Sequence, residues 1–260
     1  MLNRTTILTL SLLVACSGKG DDTGTETVDD GSIDFLFTFH DFFSGDPLAG
    51  GEYCLVEPAE QLTGDSAQDC LESDDNGEIT WTWEEPVEGP FSARFTMEDY
   101  PVVLGLGHYD EQIDEAWTEQ VDEDGYVTLA FTMFNQAMYD IYLSSAALEL
   151  EEGTGQLILN LVPTEESVSA EGASVSLAAS STMAYLDAEG NSLDPDLSQT
   201  SASGSVLIAN VEPGDHTLTI EHPTLQCDAG GTYPNDEPNV FLIPFEADTL
   251  TFGWVQCTDA

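Results

Sequence analysis

The sequence almost lacks positive charge. Only three of its 260 residues are lysine or arginine, against 50 aspartates and glutamates, and the formal net charge is -47. Arg4 and Lys19 lie near the start of the chain, so Arg94 is the only basic residue after position 19. So strong a negative charge repels phosphate backbones and anionic headgroups, which excludes nucleic acid as a partner.

Recognisable catalytic motifs are also missing. The sequence has no Gly-x-Ser-x-Gly elbow and no glycine-rich loop followed by lysine, and its four histidines are too scattered for a metal signature. Asp22-Thr23-Gly24 matches the aspartic-protease tripeptide, but it has no second copy. Among 50 acidic residues some pair always has glycosidase spacing, so such a pair does not discriminate. We predict a protein that is not an enzyme, with a carboxylate-dependent carbohydrate hydrolase as the less favoured alternative.

The chain begins with a short apolar segment. Residues 1–15 carry one basic residue and then an apolar run too short to span a bilayer, which is typical of a secretory signal peptide. The run ends in Leu13-Val14-Ala15-Cys16, which resembles the lipobox of bacterial lipoproteins, where the cysteine becomes the lipidated first mature residue. The resemblance implies a membrane link through lipid on Cys16, and Ser17 after it implies an outer membrane or cell surface. An ordinary signal peptide that happens to meet a cysteine is the alternative.

The remaining chain divides by composition. Residues 16–31 are rich in Gly, Thr and Asp and predict a flexible acidic tether. Of the whole chain 41% is hydrophobic, and all 24 aromatic residues lie beyond position 31, where they supply a packed core, so the acidity does not make the chain disordered. We expect a first domain at 32–135, a connector at 136–152 and a second domain at 153–260.

Both halves show the period-2 alternation of strands with one buried face. In the first half the alternating residues are Phe35, Phe37, Phe39, then Ile79, Trp81, Trp83, then Phe91, Ala93, Phe95, and Val127, Leu129, Phe131. In the second they are Leu157, Leu159, Leu161, then Ala173, Val175, Leu177, and Leu218, Ile220. One sheet would leave a face of aromatic or aliphatic residues in water. The sequence therefore predicts an all-β fold of two tandem antiparallel β-sandwiches of transthyretin-like or immunoglobulin-like type.

Two stretches allow a helix. Tyr109, Ile113 and Trp117 recur at helical spacing and predict one short helix. Residues 135–152 fit either a connector helix or the start of the second sandwich.

The turn motifs resemble a family of bacterial surface modules. Gly45-Asp46-Pro47-Leu48-Ala49-Gly50, followed by Ser73-Asp74-Asp75-Asn76-Gly77, is similar to transthyretin-like (carboxypeptidase regulatory-like, prealbumin-like) domains. Asn210-Val211-Glu212-Pro213-Gly214 resembles the same group in the second half. The resemblance implies small, non-catalytic, seven-stranded sandwiches.

The cysteines take the place of a covalent bond that related modules often use. Collagen-adhesin B-type modules often lock themselves with a Lys to Asn isopeptide bond, and this chain has no lysine after Lys19. Cys54, Cys70, Cys227 and Cys257 allow three disulfide connectivities in an exported protein. We favour the pairs nearest in sequence, Cys54 with Cys70 and Cys227 with Cys257, each stabilising by on the order of 3 kcal/mol.

Calcium is the one cofactor that the sequence leaves open. The acidic turns around Asp74, Asp75, Asn76 and Glu78, and around Asp122 and Asp124, carry oxygen ligands in partial calcium-loop patterns. Neither continues as a complete twelve-residue loop, so plain hairpin turns are favoured over a weak ion site.

The function predicted from sequence is therefore an exported, lipid-anchored envelope lipoprotein that acts as a surface binding or structural module without catalysis. A calcium-stabilised adhesion module is the alternative, and the partner is an unidentified protein or glycan. Five aromatic residues discriminate between these roles, since an open face would favour a glycan or peptide and burial a scaffold: Tyr100, Trp117, Tyr185, Tyr233 and Trp254.

Overall fold

The computed structural model describes residues 32–260 apart from positions 43, 57–67, 84–87, 111–112, 114–116, 166–167 and 236. The strands of the first half are β1 (Ile33–Asp41), β2 (Glu52–Val56), β3 (Gln68–Glu72), β4 (Glu78–Trp83), β5 (Gly89–Thr96), β6 (Val102–Tyr109) and β7 (Val127–Met133). Helix α1 (Gln136–Ser145) follows. The strands of the second half are β8 (Gly155–Pro163), β9 (Ser174–Leu177), β10 (Thr182–Leu186), β11 (Leu193–Asp194), β12 (Ser205–Val211), β13 (Gly214–Glu221), β14 (Leu225–Gly231), β15 (Tyr233–Pro234), β16 (Val240–Phe245) and β17 (Thr249–Asp259).

The two halves repeat one strand arrangement. In the first, β1 lies between antiparallel β4 and parallel β7, and β5 lies between β2 and β6. In the second, β8 lies between antiparallel β12 and parallel β17, and β13 lies between β9 and β16. Each half is thus a two-layer sandwich with the same six-stranded core.

A buried hydroxyl marks the same place in both copies. Ser73 Oγ donates to the Leu48 carbonyl (2.6 Å) and accepts from the Gly51 N–H (2.9 Å). In the second copy Thr200 Oγ1 donates to the Ala170 carbonyl (2.5 Å) and accepts from the Ala173 N–H (2.9 Å). In both sets the carbonyl lies three residues before the N–H and the hydroxyl follows later in the chain, by 25 residues from the carbonyl in the first copy and by 30 in the second, so the two sets are equivalent positions of a repeat.

A glycine four residues after each hydroxyl is equivalent too. Gly77 and Gly204 have φ values of 73° and 67°, which only glycine adopts readily. A Cβ atom at these positions would lie 2.5 Å from the Phe39 carbonyl oxygen and 2.6 Å from that of Leu161. The close approach lets β1 pair with β4 and β8 with β12.

The two sandwiches share a sheet. β6 of the first copy pairs parallel with β17 of the second, which joins β3-β2-β5-β6 to β17-β8-β12-β10-β11 in one ten-stranded sheet that also includes β14. The three-stranded sheet β4-β1-β7 and α1 cover one face of this sheet, and the four-stranded sheet β15-β16-β13-β9 covers the other. Most pairings are antiparallel, as predicted, but β1 with β7, β17 with β6 and β17 with β8 are parallel.

An ion pair also connects the copies. Arg94 on β5 donates through Nη2 to both carboxylate oxygens of Glu246 after β16, at 2.7 and 2.5 Å. Both side chains are more than four-fifths buried. The only basic residue after position 19 is therefore used to connect the two copies.

Helix α1 forms the connector, which decides between the two readings of residues 135–152. Asn135 caps it, because the Asn135 side chain accepts from the Met138 N–H at 3.0 Å. The buried carboxylate of Asp41 holds that cap, accepting from Asn135 Nδ2 (3.2 Å) and from the Tyr100 hydroxyl (2.8 Å). Burial and the nearby Asp41 raise the pKa of Tyr100.

The other helix prediction is wrong at its first residue. Tyr109 is the last residue of β6, while Ile113 and Trp117 are helical. The match of Tyr109 to the helical period is therefore a coincidence.

The disulfide prediction is confirmed. Cys54 bonds to Cys70 and Cys227 to Cys257, with Cα atoms 4.1 and 4.0 Å apart. Each pair stands directly opposite across neighbouring strands, β2 with β3 and β14 with β17.

Candidate ligand cavity

A cavity of about 600 Å³ lies inside the first sandwich. One wall is the inner face of β4-β1-β7, and the opposite wall is the face of the ten-stranded sheet that β2, β5, β6, β17 and β8 provide. The volume is within the range of small-molecule pockets. The cavity is therefore the candidate functional site.

Aromatic rings form a large part of its wall. The aromatic lining residues are Phe35, Phe37, Phe39, Tyr53, Trp81, Trp83, Phe91, Phe95, Trp117, Phe131, Phe252 and Trp254. Period-2 alternation points three phenylalanines of β1 and two tryptophans of β4 to the same side. The rings stack on one another, for example Phe35 on Trp81 with centroids 5.6 Å apart. All four tryptophans of the chain line the cavity.

Glycines let rings lie flat against the sheet. A Cβ atom on Gly231 would be 2.2 Å from Trp254, and one on Gly107 would be 2.2 Å from Phe91. Gly105 differs, because a Cβ atom there would meet nothing closer than the Ala93 carbonyl oxygen at 3.8 Å. Position 105 on β6 therefore faces open cavity space.

Few polar side chains reach the cavity. Among the described lining residues none is Asp, Glu, Lys or Arg, and one, His108, is a histidine. The neutral amides are Gln120, Asn160 and Gln256. Asn160 is held in place because its Oδ1 accepts from the Ser205 hydroxyl at 2.6 Å, which leaves its NH₂ group free to donate. Burial raises the pKa of Tyr53, so this lining residue is a neutral phenol at physiological pH.

The predicted calcium residues lie in two separate turns. The turn of Asp74, Asp75, Asn76 and Glu78 lies at the C-terminal end of β1, where Gly77 accepts from the Phe39 N–H. The turn of Asp122 and Asp124 lies at the opposite end, because β7 begins beside Phe35. The two turns therefore do not form one site.

Their aspartates hold the turns together. Asp74 Oδ1 accepts from the N–H groups of Asn76 (2.8 Å) and Glu78 (2.9 Å). Asp122 Oδ1 accepts from those of Asp124 and Tyr126, both at 3.0 Å. These backbone hydrogen bonds, with Glu78 first for Asp74 and Tyr126 first for Asp122, lower the pKa of each carboxyl. Each aspartate thus has a structural role within its own turn.

A third group of possible ligand atoms lies on β2 and β3. Glu52, Cys54 and Cys70 bring their ligand atoms within 4.8 Å of one another. Both cysteine sulfurs are used in the disulfide, so they offer no thiolate.

The five discriminating aromatic residues do not form an open surface face. Tyr185 and Tyr233 are buried in the second core, and Tyr100 bonds to Asp41. Trp117 and Trp254 instead line the cavity. Sequence reasoning missed the cavity, although a usable signal was present: Phe35, Phe37 and Phe39 stand where the second half has Leu157, Leu159 and Leu161.

The lipidation residue Cys16, the signal peptide and the tether lie outside the described residues. Within the described part of the chain, no helix has the length and hydrophobicity needed to cross a membrane.

Comparison with known proteins adds little. No family model and no curated protein matches the chain. Among solved structures, it is similar to the Bacillus anthracis TIE protein, with 12% identity and a TM-score of 0.28 over 87% of this chain and 34% of that one. It is also similar to a minor pilin of Streptococcus agalactiae (12%, TM-score 0.27, 87% and 96% covered) and a streptococcal ancillary pilin (16%, 0.27, 89% and 64%).

The chain thus spans about a third of the TIE protein's length. TM-scores this low carry no argument, so the description of this protein as an all-β chain of two sandwich copies that share one sheet stands on its own strand pairing.

Proposed function

We propose that this chain is an exported, lipid-anchored lipoprotein of the cell envelope that acts without catalysis as a binding and structural module. The observation that carries the proposal is the pair of disulfides, one in each copy. Disulfides form and persist in oxidising compartments, which the cytosol is not. The signal-like segment at 1–15 and Cys16 agree with export, and the tether at 16–31 would hold the sandwiches away from an outer membrane.

The geometry of the titratable groups supports a non-catalytic role. The aspartates with lowered pKa, Asp74, Asp122 and Asp187, accept hydrogen bonds inside their own turns. His216 and His222 bond to backbone carbonyls of Glu212 and Glu171. These groups stabilise loops and do not converge on the cavity, where the single described histidine, His108, faces the carboxylate of Asp110 at 3.6 Å.

We also propose that each copy is a transthyretin-like module. The quoted motifs have structural roles that repeat between the copies, since Ser73 and Gly77 correspond to Thr200 and Gly204. Asn210, with φ at 60°, sits at the β12 irregularity and bonds through its side chain to the backbone of Glu149 and Glu151. The partner of such a module would be a surface protein or a glycan.

Cell fractionation tests the proposal. The full chain is expressed in a bacterium with an alkyne-tagged fatty acid, beside a Cys16→Ser variant as the matched control. We expect fatty-acid labelling and membrane recovery of the wild type, loss of both in the variant, and no free thiol at the other four cysteines in either. Recovery of the wild type in the cytosol with reactive thiols would contradict export.

A further inference from the structure

We propose that the cavity of the first sandwich is a binding site for an uncharged, largely apolar small molecule. The inference rests on the proposed function as a binding module and adds the place and the class of ligand. Its occupant would lie between the rings of β1 and β4 on one side and those of β5 and β17 on the other.

The second copy serves as an internal comparison. Counting from the equivalent Gly77 and Gly204, Ile79 and Trp81 correspond to Val206 and Ile208, and Phe39 to Leu161. In the second copy Leu161 is 2% exposed and Val206 and Ile208 are fully buried. In the first copy Phe39 and Ile79 are buried as well, and the difference lies at Trp81. Trp81 is only half-buried, as are Phe91, Leu129 and Phe131, and the surface that these four leave open is cavity wall. The fold therefore does not require these aromatic residues, since aliphatic residues close-pack the same framework.

The composition of the wall selects for an uncharged ligand. An ion taken from water into an apolar site loses its hydration, and only a nearby opposite charge or several hydrogen bonds can compensate. The described lining offers no lysine or arginine to an anion and no carboxylate to a cation, and its single histidine, His108, already faces the carboxylate of Asp110, with Nδ1 3.6 Å from Oδ2. The net charge of -47 repels an anion before it reaches the cavity.

The part of the cavity wall formed by β8 and β17 carries amide side chains, which could bind a neutral hydrogen-bonding group at one end of the ligand. Asn160 stands opposite Trp254 in the pairing of β8 and β17, and Gln256 lies two residues further along β17. The Trp254 ring rests on Gly231 with its other side towards the cavity. A ligand with an apolar or aromatic body and one hydroxyl or amide could pack its body against the rings and hydrogen-bond to the amide groups of the wall.

The test uses N-phenyl-1-naphthylamine, a neutral probe that fluoresces in apolar sites. The full chain with Cys16→Ser is used, because it needs no detergent that would compete for the cavity. We expect saturable binding of one probe per chain, with quenching of tryptophan emission, since all four tryptophans line the cavity. Decan-1-ol should displace the probe at a concentration at least tenfold lower than decanoate at pH 8.

Matched substitutions locate the site. Gly105→Leu places a side chain in open cavity space and should weaken probe binding at least tenfold, while Ala130→Leu adds the same side chain to the exposed face of β7 and should leave binding unchanged. Ala93→Leu, another cavity position, is used if Gly105→Leu does not fold. Energy transfer from tryptophan to the bound probe is measured in the unsubstituted protein, so it tests the location of the probe even if neither cavity variant folds.

Non-saturable binding, equal affinity in the cavity-filled and wild-type cavities, or stronger displacement by decanoate would each overturn the inference. If the probe fails to bind but Cys16-dependent fractionation holds, the envelope function stands and the cavity assignment is wrong. If the probe binds but the wild type stays in the cytosol, the export proposal is wrong and the cavity assignment stands.

Discussion

The hydroxyl oxygens of Ser73 and Thr200 each hold a loop against the core of their copy by two hydrogen bonds. Each hydroxyl donates to one carbonyl and accepts from one N–H in the segment that leads into the next strand. Both groups are buried, so water cannot replace the lost partner.

We expect Thr200→Ala to lower the free energy of unfolding by about 1–3 kcal/mol, because the Ala170 carbonyl and Ala173 N–H lose their partner. Urea denaturation is the measurement, since urea, unlike guanidinium, does not screen the net charge. Thr200→Ser keeps the hydroxyl and is the matched control, with the smaller loss. Equal losses in the two variants would show that the methyl group, not the hydroxyl, matters.

The aspartate at the Asp74 turn gives a dependence on pH. Its pKa is lowered in the folded state, so the contribution of the charge to stability is complete above the ordinary value of 3.8 and is lost as pH falls through the lowered value. Asp74→Asn removes that dependence. We expect the difference in Tm between wild type and Asp74→Asn to shrink below pH 3.8, measured in high salt, and a constant difference would contradict the assignment.

At the scale of the strands, the alternation in the sequence predicted the first half well. β1 has every second residue buried, as Phe35, Phe37 and Phe39 indicated. The second half is harder, because β8, β12 and β17 are covered on both faces and bury five consecutive residues each. Ile158, whose position between Leu157 and Leu159 places it on the opposite face of β8, is buried too, in the cluster that contains Tyr139 and Leu143 of α1.

The sequence could not indicate the shared sheet. The pairing of β6 with β17 joins residues almost 150 positions apart, for example Val102 with Thr249, and no local pattern encodes a partner at that distance. The cavity was missed for a related reason. Alternation indicates which residues of a strand point inward, but not whether the side chains of the two facing sheets pack against each other or leave a space between them.

The turns make a prediction at the scale of the hairpin. Asp74 and Asp122 already use a carboxylate oxygen for two backbone hydrogen bonds each, and Ser201 stands at the position of Asp74 in the second copy without any charge. We therefore expect CaCl₂ and MgCl₂ to give equal melting temperatures at matched ionic strength. A rise specific to calcium would revive the adhesion alternative, and Asp74→Asn and Asp122→Asn would then locate the ion.

Repulsion among the carboxylates of a chain with net charge -47 opposes folding of the whole molecule. At about 0.5 M salt the Debye length falls to about 4 Å, so the carboxylates scarcely repel one another beyond their neighbours. We expect Tm to rise with NaCl, and to rise similarly in the Thr200→Ser control. A Tm that stays flat from low to high NaCl would contradict screening as the reason that so acidic a chain stays folded.

The pairing of β6 with β17 has a consequence for dividing the protein. Cutting the chain within α1 would leave β6 of one fragment and β17 of the other as naked strand edges, which are templates for promiscuous association. The Arg94–Glu246 ion pair would be severed by the same cut, leaving each charge partly buried and alone. In the sequence the two copies look like independent tandem domains. In the structure each copy supplies the strand that covers an edge of the other, so we expect neither copy to be stable on its own.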